Sequence, residues 1–175
     1  MYSKAKISGH PIHPALIAFP VALYVGTLVS LIAFQAGVGD AFWFRLACYA
    51  SLAGVIMAGV AAVPGLIDLL QIPSGSVARR TGVTHALLNV SALALFVTAT
   101  VLLWRQWSGF PGLPLDARAP LVLALIGCSL TVAAGALGWT LVQTHHIGVD
   151  DSAALPVQQT TLPGTGTRLA QPRSR

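Results

Sequence analysis

Four long apolar segments follow one another along the chain, and short polar stretches separate them. The segments cover roughly residues 15–36, 42–67, 83–104 and 119–142. A helix needs about 20 apolar residues to cross the hydrocarbon core of a bilayer, and no segment shows the strict alternation of a barrel strand. Because unpaired backbone groups are costly in lipid, the pattern predicts four transmembrane helices.

The polar stretches are too short to form domains of their own. Gly37 and Gly39 predict a tight first turn, and the proline and glycine within 73–75 predict a second break. Short connections favour antiparallel neighbours. We therefore predict an all-α fold, an integral membrane four-helix bundle with up-and-down topology over residues 1–148. Residues 149–175 are polar and have no periodic apolar face, which predicts a disordered tail.

Composition excludes several classes of protein. Hydrophobic residues make up 55% of the 175 residues and charged residues only 9%, whereas soluble domains carry about 25% charged residues. The net charge of +5 is scattered rather than gathered in a basic patch, so nucleic acid is not an expected partner.

The sequence also lacks the common motifs of redox, metal and catalytic sites. Cys48 and Cys128 form no CxxC motif. No Ser-His-Asp, zincin or phosphate-loop pattern is present, which predicts no catalytic residue and favours a protein that is not an enzyme.

Four spans place both termini and the middle connection on one side of the membrane, which we call side one. The basic residues near the membrane are Lys4, Lys6, Arg79 and Arg80 on side one, and Arg45, Arg105 and Arg118 on side two. This small excess predicts cytoplasmic termini under the positive-inside rule. Trp43, Trp104 and Trp107 fall on side two and predict an aromatic belt at that interface.

All five histidines fall on side one. His10 and His13 precede the first segment, His85 opens the third, and His145 and His146 close the fourth. A proline follows each of the first two histidines and biases it toward extended backbone, which leaves His13 at the mouth of the first helix. Imidazole is a common ligand of transition metals and of haem iron. If the protein has a chemical function, the sequence therefore predicts that its site lies at this end of the bundle.

Two further polar side chains accompany the histidines. Helical periodicity places Asn89 on the same stripe as His85, where it can orient the imidazole or bond to another helix. Asp68, near the end of the second segment, can pair with a histidine or cap a helix end. His145 stands above a stripe of small residues that leaves room for a neighbouring helix or a planar cofactor. These small residues are Gly127, Thr131, Ala134 and Gly138.

Four stretches of the sequence resemble a known family of bacterial membrane proteins, domain of unknown function 2231. The stretches are GHPIHPALIAFPVAL (Gly9–Leu23), PGLIDLLQIPSG (Pro64–Gly75), RRTGVTHALLNV (Arg79–Val90) and LGWTLVQTHHIGV (Leu137–Val149). The resemblance implies a four-span domain of the bacterial inner membrane without an established activity. Some relatives are joined to a Rieske-type iron–sulfur domain, which implies an association with membrane electron transfer. This chain lacks the paired cysteines and histidines of a Rieske centre, so a redox partner has to be another chain.

Two hypotheses for the function follow. In the first, the side-one end binds one b-type haem or one transition-metal ion and takes part in electron transfer with a redox protein or a quinone. The predicted ligands are His10, His13, His85 and His145, joined by Asp68 if a bare metal ion replaces haem. His85 and His145 are the preferred haem pair, and Asp68 and Asn89 are the predicted supporting groups. In the second hypothesis the chain is a non-catalytic membrane scaffold or interaction module, whose histidines only lock helix ends.

Overall fold

The computed structural model describes residues 6–7, 10–38, 41–108 and 115–147. Its first feature is a two-residue antiparallel ladder between β1 (Lys6–Ile7) and β2 (His10–Pro11). The predicted tail at 149–175 and the predicted turn residue Gly39 lie outside the described residues.

Five helices come after the ladder, and four of them are long. They are α1 (Ile12–Leu16), α2 (Ala18–Gln35), α3 (Phe42–Gln71), α4 (Val77–Trp107) and α5 (Arg118–Gln143). Because α1 and α2 together form one span, Ile12–Gln35, the described residues contain four helical segments long and apolar enough to cross a membrane. The predicted all-α fold with four apolar helices packed together is confirmed.

Pro20 divides the first span into two helices. Proline has no backbone N–H and clashes with the carbonyl of the residue four positions earlier, which here is Leu16. Helix α1 ends at this residue, and α2 begins at Ala18. Helix α3, in contrast, continues through Pro64 as one helix. The break at Pro20 sets α1, which carries His13, apart from the rest of its span.

The connection between α3 and α4 is short, and hydrogen bonds cap both of the helix ends that it joins. The Ser76 hydroxyl accepts the backbone N–H of Arg79 at 3.1 Å, which satisfies a donor left free at the start of α4. The Arg79 guanidinium donates to the carbonyl oxygens of Leu69 and Ile72 at the end of α3. A cation at this position also complements the helix dipole. Both helices consequently extend beyond the apolar segments.

The four long helices form a ring in which each packs against two neighbours. The contacts of α4 with α5 and of α2 with α3 are the most extensive, followed by those of α3 with α4 and of α2 with α5. Helices α2 and α4 lie across a diagonal and meet at the centre, where Tyr24 stacks on Phe96 with ring centroids 3.6 Å apart. Gly54 and Gly127 lie directly against these rings, because a Cβ at either position would come within 2.9 Å of a ring carbon. Small residues thus provide the close approach that helix packing in lipid requires.

Candidate histidine site

His13 enters the bundle from α1, which packs on α3. Its Nδ1 lies 2.8 Å from the carbonyl oxygen of Ala61. A carbonyl oxygen can only accept, so Nδ1 carries the hydrogen and donates it. The ring covers Gly65, where a Cβ would lie 2.8 Å from the His13 Cε1 atom. The carbonyl of Ala61 and the backbone of Gly65, one turn further along α3, therefore hold this imidazole.

His85 makes the same pair of contacts from α4 to α5. Its Nδ1 lies 2.8 Å from the carbonyl oxygen of Ala134 and donates to it for the same reason. A Cβ at Gly138 would lie 3.1 Å from the His85 Cε1 atom. The amide Nδ2 of Asn89 lies 3.2 Å from the His85 Nε2 and donates to the His85 carbonyl oxygen at 2.9 Å. Both ring nitrogens of His85 thus have a partner while the ring is neutral.

The two imidazoles meet across the diagonal of the bundle. Their ring centroids are 6.4 Å apart and their planes are nearly perpendicular, at 88°. Both side chains are half-buried. Because Nδ1 is the donor in each ring, Nε2 is the acceptor nitrogen of each. The structure therefore brings His85 together with His13, whereas the preferred partner on sequence grounds is His145.

This pair of imidazoles lies inside the bundle, not at its rim. Helix α3 ends at Gln71 and α5 at Gln143, so Gly65 and Gly138 lie about 8 to 9 Å inside the helix ends at about 1.5 Å per residue. Helix α4 has 31 residues and is longer than the roughly 20 needed to cross the hydrocarbon core. The site is accordingly about one and a half turns inside the side-one ends of α3 and α5, at a depth where polar groups of a membrane bundle need partners.

A protein-family model described as "Predicted membrane protein (DUF2231)" matches residues 9–151, which include all of the described helices. The chain belongs to this family. No curated protein and no solved structure matches it. The family description gives a membrane protein and no activity.

The other predicted site residues of this DUF2231 protein lie around the pair. His145 follows the end of α5, and within the described ranges no hydrogen bond or ring contact joins it to His85. His146 is exposed and has a φ of 51°. Asp68 is partly buried near the end of α3. The backbone of His10 belongs to β2, three residues before His13.

The predicted groove of small residues on α5 is covered by α4. Phe96 lies against Gly127, and His85 lies against Gly138. Gly135 belongs to a different face, because a Cβ there would have nothing within 4 Å. The sequence allows either a neighbouring helix or a planar cofactor in this groove, and in the structure the groove holds the neighbouring helix α4.

Sequence reasoning missed the part that backbone groups play in this site. The carbonyls of Ala61 and Ala134 accept the two Nδ1 hydrogens, and Gly65 and Gly138 make room for the rings. Such residues carry no side-chain chemistry and give no ligand motif. The available signal is a shared spacing, because each alanine stands four positions before its glycine in the DUF2231 sequence.

Proposed function

We propose that the protein binds one transition-metal ion at the side-one end of its bundle, between His13 and His85, and that this ion takes part in membrane electron transfer. The matched anchoring of the two imidazoles carries the proposal, because each donates its Nδ1 hydrogen to a main-chain carbonyl at 2.8 Å. Metal-binding histidines are held by this kind of bond, which fixes the tautomer and directs Nε2 to the metal.

The separation of the rings suits a shared ion. An imidazole nitrogen binds a metal such as zinc at about 2.0–2.1 Å, so two rings on one ion have centroids about 5.2 Å apart at the tetrahedral angle and about 6.4 Å apart, the upper limit, when they lie on opposite sides of the ion. The observed separation is 6.4 Å. In the part of the chain that the structure describes, no group of three or more His, Cys, Asp or Glu side chains could hold a metal ion. Water would supply the remaining ligands.

Asn89 controls access to one of the two ligand atoms. Its amide Nδ2 occupies the His85 Nε2 at 3.2 Å. The same amide donates to the His85 carbonyl oxygen at 2.9 Å, and an amide nitrogen has two hydrogens. Asn89 can therefore release the ring nitrogen and keep its second partner. Metal binding would exchange one weak hydrogen bond for a metal–nitrogen bond.

A bare ion is favoured over b-type haem at this site. A porphyrin needs an open slot beside its axial ligands, and the candidate slot on α5 is filled by Phe96 and His85. Imidazole suits iron and copper, and both metals change oxidation state. The position near the side-one end of the bundle would give a quinone or a separate redox protein access to the ion.

A specific observation favours a second function. Both ring nitrogens of His85 already have protein partners. In this function the imidazoles lock α1 to α3 and α4 to α5, and the chain is a non-catalytic membrane scaffold. Interhelical hydrogen bonds in membranes contribute about 0.6 kcal/mol and at most about 2 kcal/mol each, which is enough to fix helix ends.

Metal analysis of the purified protein separates the two functions. The protein is isolated in mild detergent, its iron, copper, zinc and manganese are measured, and a reduced-minus-oxidised visible spectrum is recorded. We expect about one equivalent of iron or copper per chain. His13→Ala and His85→Ala should each lose the metal, whereas the matched control His146→Asn should retain it. Asparagine is used in the control because it tolerates the positive φ of this position.

Two results would contradict the metal proposal. Protein that contains no stoichiometric metal, and that takes up none on dialysis against Fe²⁺ or Cu²⁺, leaves the scaffold function. A Soret band that disappears in His85→Ala and His145→Ala, but persists in His13→Ala, shows instead that the haem pair predicted from the sequence forms. Stoichiometric zinc alone would remove the electron-transfer part of the proposal.

A further inference from the structure

The first and third spans place equivalent side chains at equivalent positions. The pairs, each separated by 72 positions, are His13 and His85, Tyr24 and Phe96, and Leu31 and Leu103. The two imidazoles each donate to a carbonyl of the following span, the two aromatic rings stack on one another, and both leucines are 0% exposed. The two spans therefore share a pattern of contacts as well as a direction.

The second and fourth spans repeat in the same way. The pairs, each separated by 73 positions, are Gly54 and Gly127, Ala61 and Ala134, and Gly65 and Gly138. In each helix the first glycine lies against an aromatic ring of the preceding span, the alanine carbonyl accepts an imidazole hydrogen, and the second glycine lies under that imidazole. The spacing G-x6-A-x3-G is identical in the two helices.

These equivalences define a symmetry. Spans one and three run in one direction and spans two and four in the other, and the like pairs His13–His85 and Tyr24–Phe96 face each other at the centre. We infer that the bundle is a duplicated helical hairpin whose pseudo-two-fold axis runs between the paired rings. Gly65 and Gly138 are the equivalent positioning residues that hold the two imidazoles at this axis.

Glycine is favoured at these positions because a hydrogen bond holds each imidazole against the backbone. A Cβ at Gly65 would lie 2.8 Å from the His13 Cε1 and 2.9 Å from its Nδ1. A Cβ at Gly138 would lie 3.1 Å from the His85 Cε1 and 3.4 Å from its Nδ1. Each Nδ1 is also bound to a carbonyl of the same helix. A methyl group would therefore push the ring away from its acceptor.

The inference deepens the proposed function and rests on that function only for the ligand. An ion held between the imidazoles would lie on the pseudo-two-fold axis and would receive one ring from each half of the chain. The expected stoichiometry is one ion per chain, and both halves should contribute to its affinity. The positions of the rings themselves can be measured without any metal.

Nitrogen-15 NMR of the imidazoles, combined with Zn²⁺ titration, tests the inference. Gly65→Ala should shift the ring signals of His13 and leave those of His85, and Gly138→Ala should do the reverse. Each variant should lower Zn²⁺ affinity about 10-fold or more, the usual effect of disturbing a group behind a ligand. The shorter contact predicts the larger loss for Gly65→Ala.

Two glycines of the same helices serve as matched controls. Gly59 on α3 and Gly135 on α5 have nothing within 4 Å of a Cβ, so Gly59→Ala and Gly135→Ala should leave the ring signals and the affinity unchanged. The ring of the unaltered half also reports that each variant is folded. If neither Gly65→Ala nor Gly138→Ala changes the ring signals, the positioning role is overturned. If only one of the two variants shifts the signals of its own histidine, the equivalence of the two halves is overturned.

The wild-type protein provides a test that needs no variant. His13 and His85 should both be Nδ1–H tautomers when neutral, because each Nδ1 faces a carbonyl oxygen. An Nε2–H tautomer in either ring overturns the inference. If the rings and glycine variants behave as expected but the wild-type protein binds no Zn²⁺, Fe²⁺ or Cu²⁺, the positioning inference stands and the proposed function fails.

Discussion

Replacing Tyr24 with phenylalanine should stabilise the protein. The Tyr24 side chain is 4% exposed, and its hydroxyl oxygen is buried without a hydrogen-bond partner among the described residues. Its ring stacks on Phe96 with an interplanar angle of 1°, and Tyr24→Phe keeps this contact. The pseudo-symmetry supports the change, since phenylalanine already occupies the equivalent position in the other half.

The magnitude follows from two opposing terms. A buried hydroxyl without a partner costs about 1–3 kcal/mol. Removal of one oxygen atom leaves a cavity of roughly 10–15 Å³, which costs about 0.3 kcal/mol at about 24 cal/mol per Å³. We therefore expect Tyr24→Phe to raise the free energy of unfolding by about 1–2 kcal/mol, toward the lower end in lipid because the hydroxyl of the unfolded chain is also poorly solvated there.

Unfolding in mixed micelles with increasing SDS, followed by tryptophan fluorescence and circular dichroism, measures this difference. Tyr49→Phe is the matched control, because Tyr49 is 58% exposed and stands beside Trp104 at the bundle surface. The control should change stability by less than about 0.5 kcal/mol. A loss of stability in Tyr24→Phe would refute the reasoning and would mean that the hydroxyl has a partner, such as a bound water.

Three further substitutions test other parts of the structure. Gly127→Ala should destabilise the bundle by about 1–2 kcal/mol in the same SDS assay, because its Cβ would lie 2.7 Å from a buried ring carbon, whereas Gly26→Ala, with open space around it, should not destabilise it. Ser76→Ala should cost about 1 kcal/mol by removing the cap of α4, and faster amide exchange in the first turn of α4 would locate the loss. Hydrogen bonds from Arg118 lower the pKa of the exposed Asp116 carboxyl, so NMR should show this pKa rising toward its ordinary value in Arg118→Gln. Stability gained from such a lowered pKa is lost as pH falls through the folded-state value, but solvent screening should make that loss unmeasurable.

The spans could be predicted from the sequence because lipid allows so few backbone arrangements. A run of about 20 apolar residues has to be helical and has to cross. The predicted start of the third helix at 83 nevertheless differs from the observed Val77. Hydropathy excludes the polar first turns of α4, and the Ser76 cap and the Arg79 bonds to α3 are what keep those turns helical.

The imidazole that faces His85 could not be predicted in the same way. Periodicity along one helix shows which residues share a face, but it does not show which helix lies opposite. Sequence order favours a partner on the adjacent fourth span, whereas the ring of four helices puts α2 across the diagonal from α4 and brings α1 with it. The contact of Asn89 with His85 could be predicted, because Asn89 is one turn from His85 on the same helix.

The internal repeat was hidden by the composition of the membrane spans. Interchangeable apolar residues fill most positions, so the two halves share few identical residues. Only some of the identical pairs have a steric or hydrogen-bonding requirement, such as Gly65 with Gly138 and His13 with His85. A comparison of the chain with itself that weights glycine and histidine above leucine and valine would have found them.

A hairpin that leaves one side of the membrane and returns to it has a consequence for how such a protein can grow. Adding a second copy lengthens the chain without carrying either terminus across the bilayer, so both copies insert with the same orientation. Arg45 and Arg118, 73 positions apart, stand near the starts of the two returning helices. Each half therefore carries a positive charge near side two, and the two charges bias the orientation of both hairpins in the same sense.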